Sequence, residues 1–166
     1  MKAWQVAGAI IERDGSVLLV ENLRRNGSTD WTPPGGVVEV ADGESILDGL
    51  AREVAEETSL VVTRWADQPL YRVQVEAPEL GWVMRVEVHL AIDWTGEVTC
   101  GDDPDGIVIG AEYCSPDLVI ERTARGHPWV HHPLTEWVDQ RWTDVSDYRY
   151  RVDGDRIGHT TAVRLD

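Results

Sequence analysis

Residues 34–60, PGGVVEVADGESILDGLAREVAEETSL, carry the reading on which the fold turns. At about 100° per residue, 45–58 reads as one amphipathic helix with Leu47, Leu50 and Val54 on a stripe that can be buried. Glu53, Glu56 and Glu57 stand at i, i+3 and i+4, so their carboxylates share a second face. Three carboxylates that close repel one another and call for a positive partner. A hard divalent cation such as Mg²⁺, which takes oxygen ligands, suits that need. Ser45 followed by Asp48 resembles a capping box at the helix entrance. Ahead of it, Pro34-Gly35-Gly36 predicts a turn in which bare backbone can approach a ligand closely.

A glutamate-rich helix face on its own is most simply a solvated one, since Glu is a good helix former. Here the Pro-Gly-Gly segment, the spacing of Glu44 and the arginine directly before the first glutamate of the cluster argue for function. Together they resemble the Nudix box, Gly-x5-Glu-x7-Arg-Glu-U-x-Glu-Glu-x-Gly-U, where U is aliphatic. From Glu44 onward the match is in register: Arg52-Glu53-Val54, then Glu56-Glu57, then Ser59-Leu60. There are two departures. Seven residues separate Gly36 from Glu44 where the family has five, and Ser59 stands at the family's glycine. The longer loop bears on the Gly36 carbonyl, which the resemblance offers as a metal ligand. Serine at a helix C-terminus implies a left-handed residue costing about 1 kcal/mol, or a different exit from the helix.

The resemblance implies an α/β fold: a Nudix-type α/β/α sandwich with a mixed β-sheet, here one domain over 1–166 with the box at 36–60. It also implies Mg²⁺-dependent hydrolysis, with Mn²⁺ as a substitute, of a pyrophosphate linkage in a nucleoside diphosphate joined to a group X. By the same resemblance Glu56 and Glu57 are metal ligands, and Glu53 is a ligand or the base that takes a proton from water. Arg52 orients a box carboxylate and Glu44 lies in the outer shell. The alternative is a noncatalytic Nudix-fold module that binds or senses a nucleotide.

The rest of the chain fits around the box. Residues 4–12 read as a strand, Asp14-Gly15 as a hairpin turn and 16–21 as the returning strand. Arg24 and Arg25, in the polar loop 23–30, could face phosphate, although a surface loop is the commoner explanation; Trp31 leads a short strand into the box. Strands are expected at Val61–Trp65, 69–76, 82–94 and 107–113, the third alternating Met84, Val86, Val88 and Leu90 against Val83, Arg85, Glu87 and His89. The acidic run 101–106 reads as a tight turn, since it lacks the ligand pattern of a calcium loop. Residues 117–123 have a helical pattern, and a second helix is expected over 133–140 with Pro133 in its first turn. His127, His131 and His132 have no zinc spacing. Residues 147–166 read as an added C-terminal hairpin about Asp153-Gly154. Trp31, Trp129, Trp137 and Tyr148 could stack a base, but eight tryptophans and no phenylalanine also suggest core aromatics.

Thirty acidic and fifteen basic residues give a net charge of −15, with Lys2 the sole lysine. That argues against long nucleic acid and leaves a small nucleotide-derived substrate open, because a few arginines and a metal can make one site positive. No apolar run is long enough to span a membrane. Cys100 and Cys114 read as reduced, buried thiols of a cytoplasmic protein, with a disulfide left open by the spacing. Two terminal strand segments present edges that need pairing, and the Tyr-Arg alternation of 148–151 suits an interface, so a homodimer is expected.

Overall fold

The computed structural model describes residues 1–100 and 103–166. Strands β1 (Lys2–Ile10), β2 (Glu12–Arg13), β3 (Ser16–Leu23), β4 (Thr29–Thr32) and β5 (Gly35–Val37) precede helix α1 (Ile46–Thr58). Strands β6 (Val61–Trp65), β7 (Tyr71–Ala77), β8 (Trp82–Thr95) and β9 (Val108–Cys114) follow. Helices α2 (Pro116–Thr123) and α3 (Pro128–Gln140) then lead to β10 (Ser146–Asp153) and β11 (Thr161–Leu165).

A seven-stranded sheet runs in the order β11-β10-β7-β8-β1-β5, with β6 on the far half of β8. It is mixed: β1 is parallel to β8 and β10 to β7, while β7 and β8 form an antiparallel hairpin. A four-stranded sheet sets β3 between β4 and β9. Helix α1 packs on β1, β5 and β6, and α3 on β7 and β10. The main sheet thus lies between helices, an α/β/α arrangement.

Strand parity divides the core. Ala7, Ala9, Leu50, Val54, Leu60 and Val62 pack together on the α1 side. Ile10, Tyr71, Val73, Val75, Leu134 and Trp137 pack on the α3 side. Leu50 and Val54 are fully buried as the helical stripe requires, while Ile46 joins their cluster and Leu47 does not. Ser45 caps α1 by accepting from the Asp48 amide at 3.2 Å. Ser59 is left-handed (φ 66°), its N–H donating to the Ala55 carbonyl at 3.0 Å, and its hydroxyl meets that of Thr99.

Five expectations change. The Pro-Gly-Gly segment is not an open turn: Gly35 and Gly36 enter β5 and pair with Gly8 and Ala7 of β1. Helix α3 begins at Pro128, leaving Pro133 inside it. A proline has no N–H to give, but so near the N-terminus the loss is one bond. The C-terminal hairpin forms, β10 pairing antiparallel with β11, but it joins the main sheet through β7, and a loop over 154–160 replaces the tight turn. Of the two terminal strands, β1 lies inside the sheet and β11 is its edge; Tyr148 and Tyr150 are buried, leaving Arg149 and Arg151 outside. Cys100 is exposed, Cys114 is buried, and neither is in a disulfide. Among the described residues no helix is long and apolar enough to cross a membrane.

Candidate active site

The box carboxylates are organised by one guanidinium. Arg52 donates to Glu44 at 3.0 Å, to Glu53 at 2.9 Å and to Glu56 at 3.3 Å, and its Nη2 also reaches the Val37 carbonyl at 3.4 Å. Hydrogen bonding to Glu44 is the largest influence holding its proton more tightly than usual, so it stays charged. Glu57 turns the other way and accepts from the Gly35 amide at 3.1 Å. It is 8% exposed. Burial, reinforced by the charges of Glu53, Asp103 and Glu56, pushes its pKa up to about 8 against the opposing pull of the Gly35 amide. Burial also raises Glu53, with Glu56 and Asp105 adding to it and Arg52 opposing.

The glycines are there for space. A Cβ on Gly36 would lie 2.6 Å from the Glu53 carboxyl carbon, and one on Gly35 would strike the Ala7 carbonyl of β1. Gly49, in mid-helix where glycine is otherwise unfavourable, leaves room for Glu44; a Cβ would also lie 2.9 Å from Val38. The loop from Gly36 to Glu44, two residues longer than the signature, contains a 3₁₀ turn, Val40–Asp42, that faces solvent. Glu39 and Glu44 still meet, the Glu44 amide donating to the Glu39 carbonyl at 3.2 Å.

These carboxylates border a cleft of about 690 Å³. Gly35, Gly36, Val37, Glu53, Glu56 and Glu57 form one side of it. Asp103 and Asp105, from the β8–β9 connection, line the same cleft and face the box electrostatically, which the sequence reading missed. Asp103 lies within the expected acidic turn and accepts from the amides of Ile107 and Val108, just beyond it, at 3.0 Å; Gly101 and Asp102, which begin that turn, lie outside the described residues. Its arrival at the box depends on topology, which the local residues do not encode.

The expected substrate residues separate. Arg24 lines the cleft with Asn22, and Asp30 grips it through Nε and Nη2, both at 2.7 Å. Asn22 donates to the same carboxylate at 3.1 Å. Burial works to raise Asp30, but the Arg24 hydrogen bond and charge outweigh it and hold this carboxyl below its ordinary pKa. Arg25 is exposed and not part of the cleft lining, and Trp31 lies behind the wall under the Arg122 guanidinium, 4.1 Å from its ring centre. Of the other aromatics proposed to stack a base, Trp129 lines the cleft, whereas Trp137 and Tyr148 are buried in the core. His131 meets Thr123 at 2.8 Å and His132 meets Tyr150 at 3.3 Å.

A family model, the NUDIX domain, matches residues 1–138. The chain belongs to the Nudix family. Its fold is that of solved Nudix proteins. The ORF135 protein of E. coli is 25% identical, with a TM-score of 0.68 over 87% of this chain and 96% of that one. A MutT Nudix hydrolase from Burkholderia pseudomallei is 23% identical, with a TM-score of 0.63 over 86% of this chain and all of that one. An ADP-ribose pyrophosphatase from Streptococcus suis is 16% identical, with a TM-score of 0.53 over 87% of this chain and 98% of that one. No curated protein is matched at the level of sequence.

The donors of this Nudix site suit a hard cation: they are oxygen atoms, one carboxylate is buried, and Gly36 leaves the space above Glu53 open. As placed, the carboxylates converge on Arg52 and the Gly35 amide. Among the described residues no three acidic, histidine or cysteine side chains form a ready ligand set.

Proposed function

We propose that the protein is a Mg²⁺-dependent hydrolase, with Mn²⁺ as a substitute, that cleaves the pyrophosphate linkage of a nucleoside diphosphate joined to a further group. The observation that carries this reading is the Arg52 fork, which gathers Glu44, Glu53 and Glu56 at the border of a nucleotide-sized cleft beside buried Glu57. When bound, the cation supplies positive charge against the phosphoanhydride oxygens. Glu56, Glu57 and Glu53 would hold it, with the Gly36 carbonyl, while Glu44 stays behind them on Arg52. Glu53, whose proton affinity is already raised, acts either as a ligand or as the base that takes a proton from water. Arg24 keeps Nη1 outside its grip on Asp30, and we assign that edge to substrate phosphate; Arg25 and Trp31 receive no such role.

The test is a panel of ADP-ribose, NADH, dinucleoside polyphosphates, sugar nucleotides and nucleoside triphosphates, assayed with Mg²⁺ or Mn²⁺ between pH 7 and 9. Turnover of at least one is expected, and Glu56→Gln and Glu57→Gln should each lose orders of magnitude in rate while staying folded. A panel with no turnover under either metal overturns the hydrolase reading. The spread of the carboxylates onto Arg52 favours one second reading, a noncatalytic nucleotide sensor; nucleotide binding without turnover or metal dependence would establish it. We assign the protein to the cytoplasm, as a homodimer joined through the free β11 edge.

A further inference from the structure

The main sheet is covered unequally on its two faces. Helix α1 packs on β1, β5 and β6 and leaves the same face of β7 and β10 open, where Arg72, Asp147, Arg149 and Arg151 are exposed. A groove of about 330 Å³ crosses this open half, on the other side of the sheet from the cleft. The strand register sets out its surface in rows. Gln5 of β1 stands opposite Arg85 of β8, Arg85 opposite Gln74 of β7, and Gln74 opposite Arg149 of β10. All four residues line the groove. In the row on one side Glu87, Arg72 and Asp147 stand in line; in the row on the other, Glu76 faces Arg151.

The pairing of charges separates the middle row from its neighbours. Asp147 is held by Arg72 at 2.9 Å, Asp153 by Arg151 at 2.7 Å and Glu87 by His89 at 2.8 Å, while Glu76 accepts from the Gln74 carboxamide. Each of these carboxylates has a partner. Arg85 and Arg149 hold no carboxylate among the described residues. They stand on the strands either side of β7 and flank Gln74 across about 10 Å, two strand spacings. Gln5 extends the row with an amide whose Nε2 reaches only the Val6 carbonyl, at 3.4 Å. On a chain of net charge −15, two cations kept side by side without a carboxylate call for an anion from outside.

The flanking rows limit the size of that anion. Glu87 and Asp147 on one side and Glu76 on the other repel an acidic chain long enough to cross them, which disfavours an extended polyanion. A lone carboxylate occupies a single guanidinium fork. A phosphate dianion has charge for two guanidinium groups and oxygens enough for a fork on each side. We propose that the Arg85–Arg149 row is a second binding site, separate from the cleft, and that it takes a phosphate dianion, free or as the end group of a small monoester. The two forks close on it over Gln74, and Gln5 adds an amide donor beside Arg85. Val73 and Val86 line both the groove and the cleft, so the two sites sit back to back across β7 and β8.

The site does not depend on the hydrolase reading, and its test uses no turnover. The intact protein, metal-free at about pH 7.5, is titrated with sodium phosphate, with glycerol 3-phosphate and with acetate. Ionic strength is held at about 0.1 M with NaCl, which screens charges more than about 10 Å away. Backbone amide resonances are followed by nitrogen-15 NMR, and those of Gln74, Arg85 and Arg149 should shift together and saturably with both phosphates and not with acetate. Arg85→Gln and Arg149→Gln should each weaken phosphate binding by at least about 10-fold, the effect of one charge-assisted pair. Arg149→Lys, which keeps the charge and loses the fork, should weaken it less. All three variants should melt as wild type in phosphate-free buffer, since neither arginine has a partner to lose. Binding of phosphate without glycerol 3-phosphate would assign the groove to the free ion. No saturable shift, acetate binding as tightly as phosphate, or phosphate binding that survives both Gln variants (at Arg24 of the cleft or anywhere else) would each overturn the site.

Discussion

Gly35 and Gly36 are adjacent, yet alanine at each should fail in a different way. A Cβ on Gly36 would sit 2.6 Å from the Glu53 carboxyl carbon, where ordinary contact begins at 3.4 Å. What must yield is the end of a side chain, which has to retreat by about 0.8 Å, with the 2.9 Å Arg52 bond stretched or lost. That pair is partly solvated, so its net contribution to stability is about 1 kcal/mol or less, and the melting temperature should stay within about 4 °C. A misplacement of about 1 Å at a catalytic group costs on the order of 100-fold in rate, equivalent to about 2.7 kcal/mol of barrier. On Gly35 the obstacle is backbone: the Ala7 carbonyl oxygen, with Gly8 Cα at 2.8 Å. Neither can retreat without separating β5 from β1, so Gly35→Ala should cost about 1–3 kcal/mol and lower the melting temperature by about 3–10 °C. Circular dichroism melts and initial rates on the best substrate of the panel separate the two outcomes. Gly36→Ala with wild-type rate, or Gly35→Ala melting like wild type, would refute the assignment of these glycines to Glu53 and to β1.

Two further expectations concern the helix exit and the tail. The left-handed Ser59 costs about 1 kcal/mol, but its bond to Thr99 returns about 0.5–1.5 kcal/mol, so Ser59→Gly alone should be near neutral in chemical denaturation. In a Thr99→Val background the same change should stabilise by about 1 kcal/mol; equal effects in both backgrounds would show that the hydroxyl pair contributes nothing. Removing 147–166 exposes the sites of buried Tyr148, Tyr150 and Val152, worth about 5–9 kcal/mol, a large part of any domain's stability. The truncated chain should not fold by circular dichroism, and a folded product would show that β10 is dispensable. Light scattering of the intact chain should give a dimer mass, and a monomer at micromolar concentration ends the β11 pairing.

The helix and its carboxylates were legible because the information is local: a 3.6-residue period, a serine cap and fixed offsets within four turns. The strands were legible from alternation, and Met84, Val86 and Val88 do share the cleft face while Arg85 is turned out. Trp31 escaped because side chains on a strand alternate. Asn22, Asp30 and Thr32 meet on one face of the β3–β4 pair, while Glu21 and Trp31 stand opposite each other on the reverse, so one residue of parity separates cleft from core. Pro133 misled for another reason: two prolines are compatible with a helix start, and the earlier one holds the position. Tyr71, Asp103 and Asp105 reach the cleft only through pairings between distant strands, and nothing in the residues around them announces those pairings.

The outward turn at Val40–Asp42 separates two things that a written signature fuses. Between its glycine and its first glutamate the box needs two anchors: Gly36 against Glu53, and Glu44 on Arg52. The backbone bond from Glu44 to Glu39 closes the loop beneath the turn, and whatever rises above it, such as half-exposed Val40, bears on neither anchor. Loop length there is mechanically silent, since each doubling adds only about 0.6 kcal/mol of closure entropy. The count of intervening residues can therefore vary here while both anchors are kept. This turn is a graft point: a short tag or reporter peptide inserted between Val40 and Asp42 would ride within a few residues of the carboxylates without disturbing them.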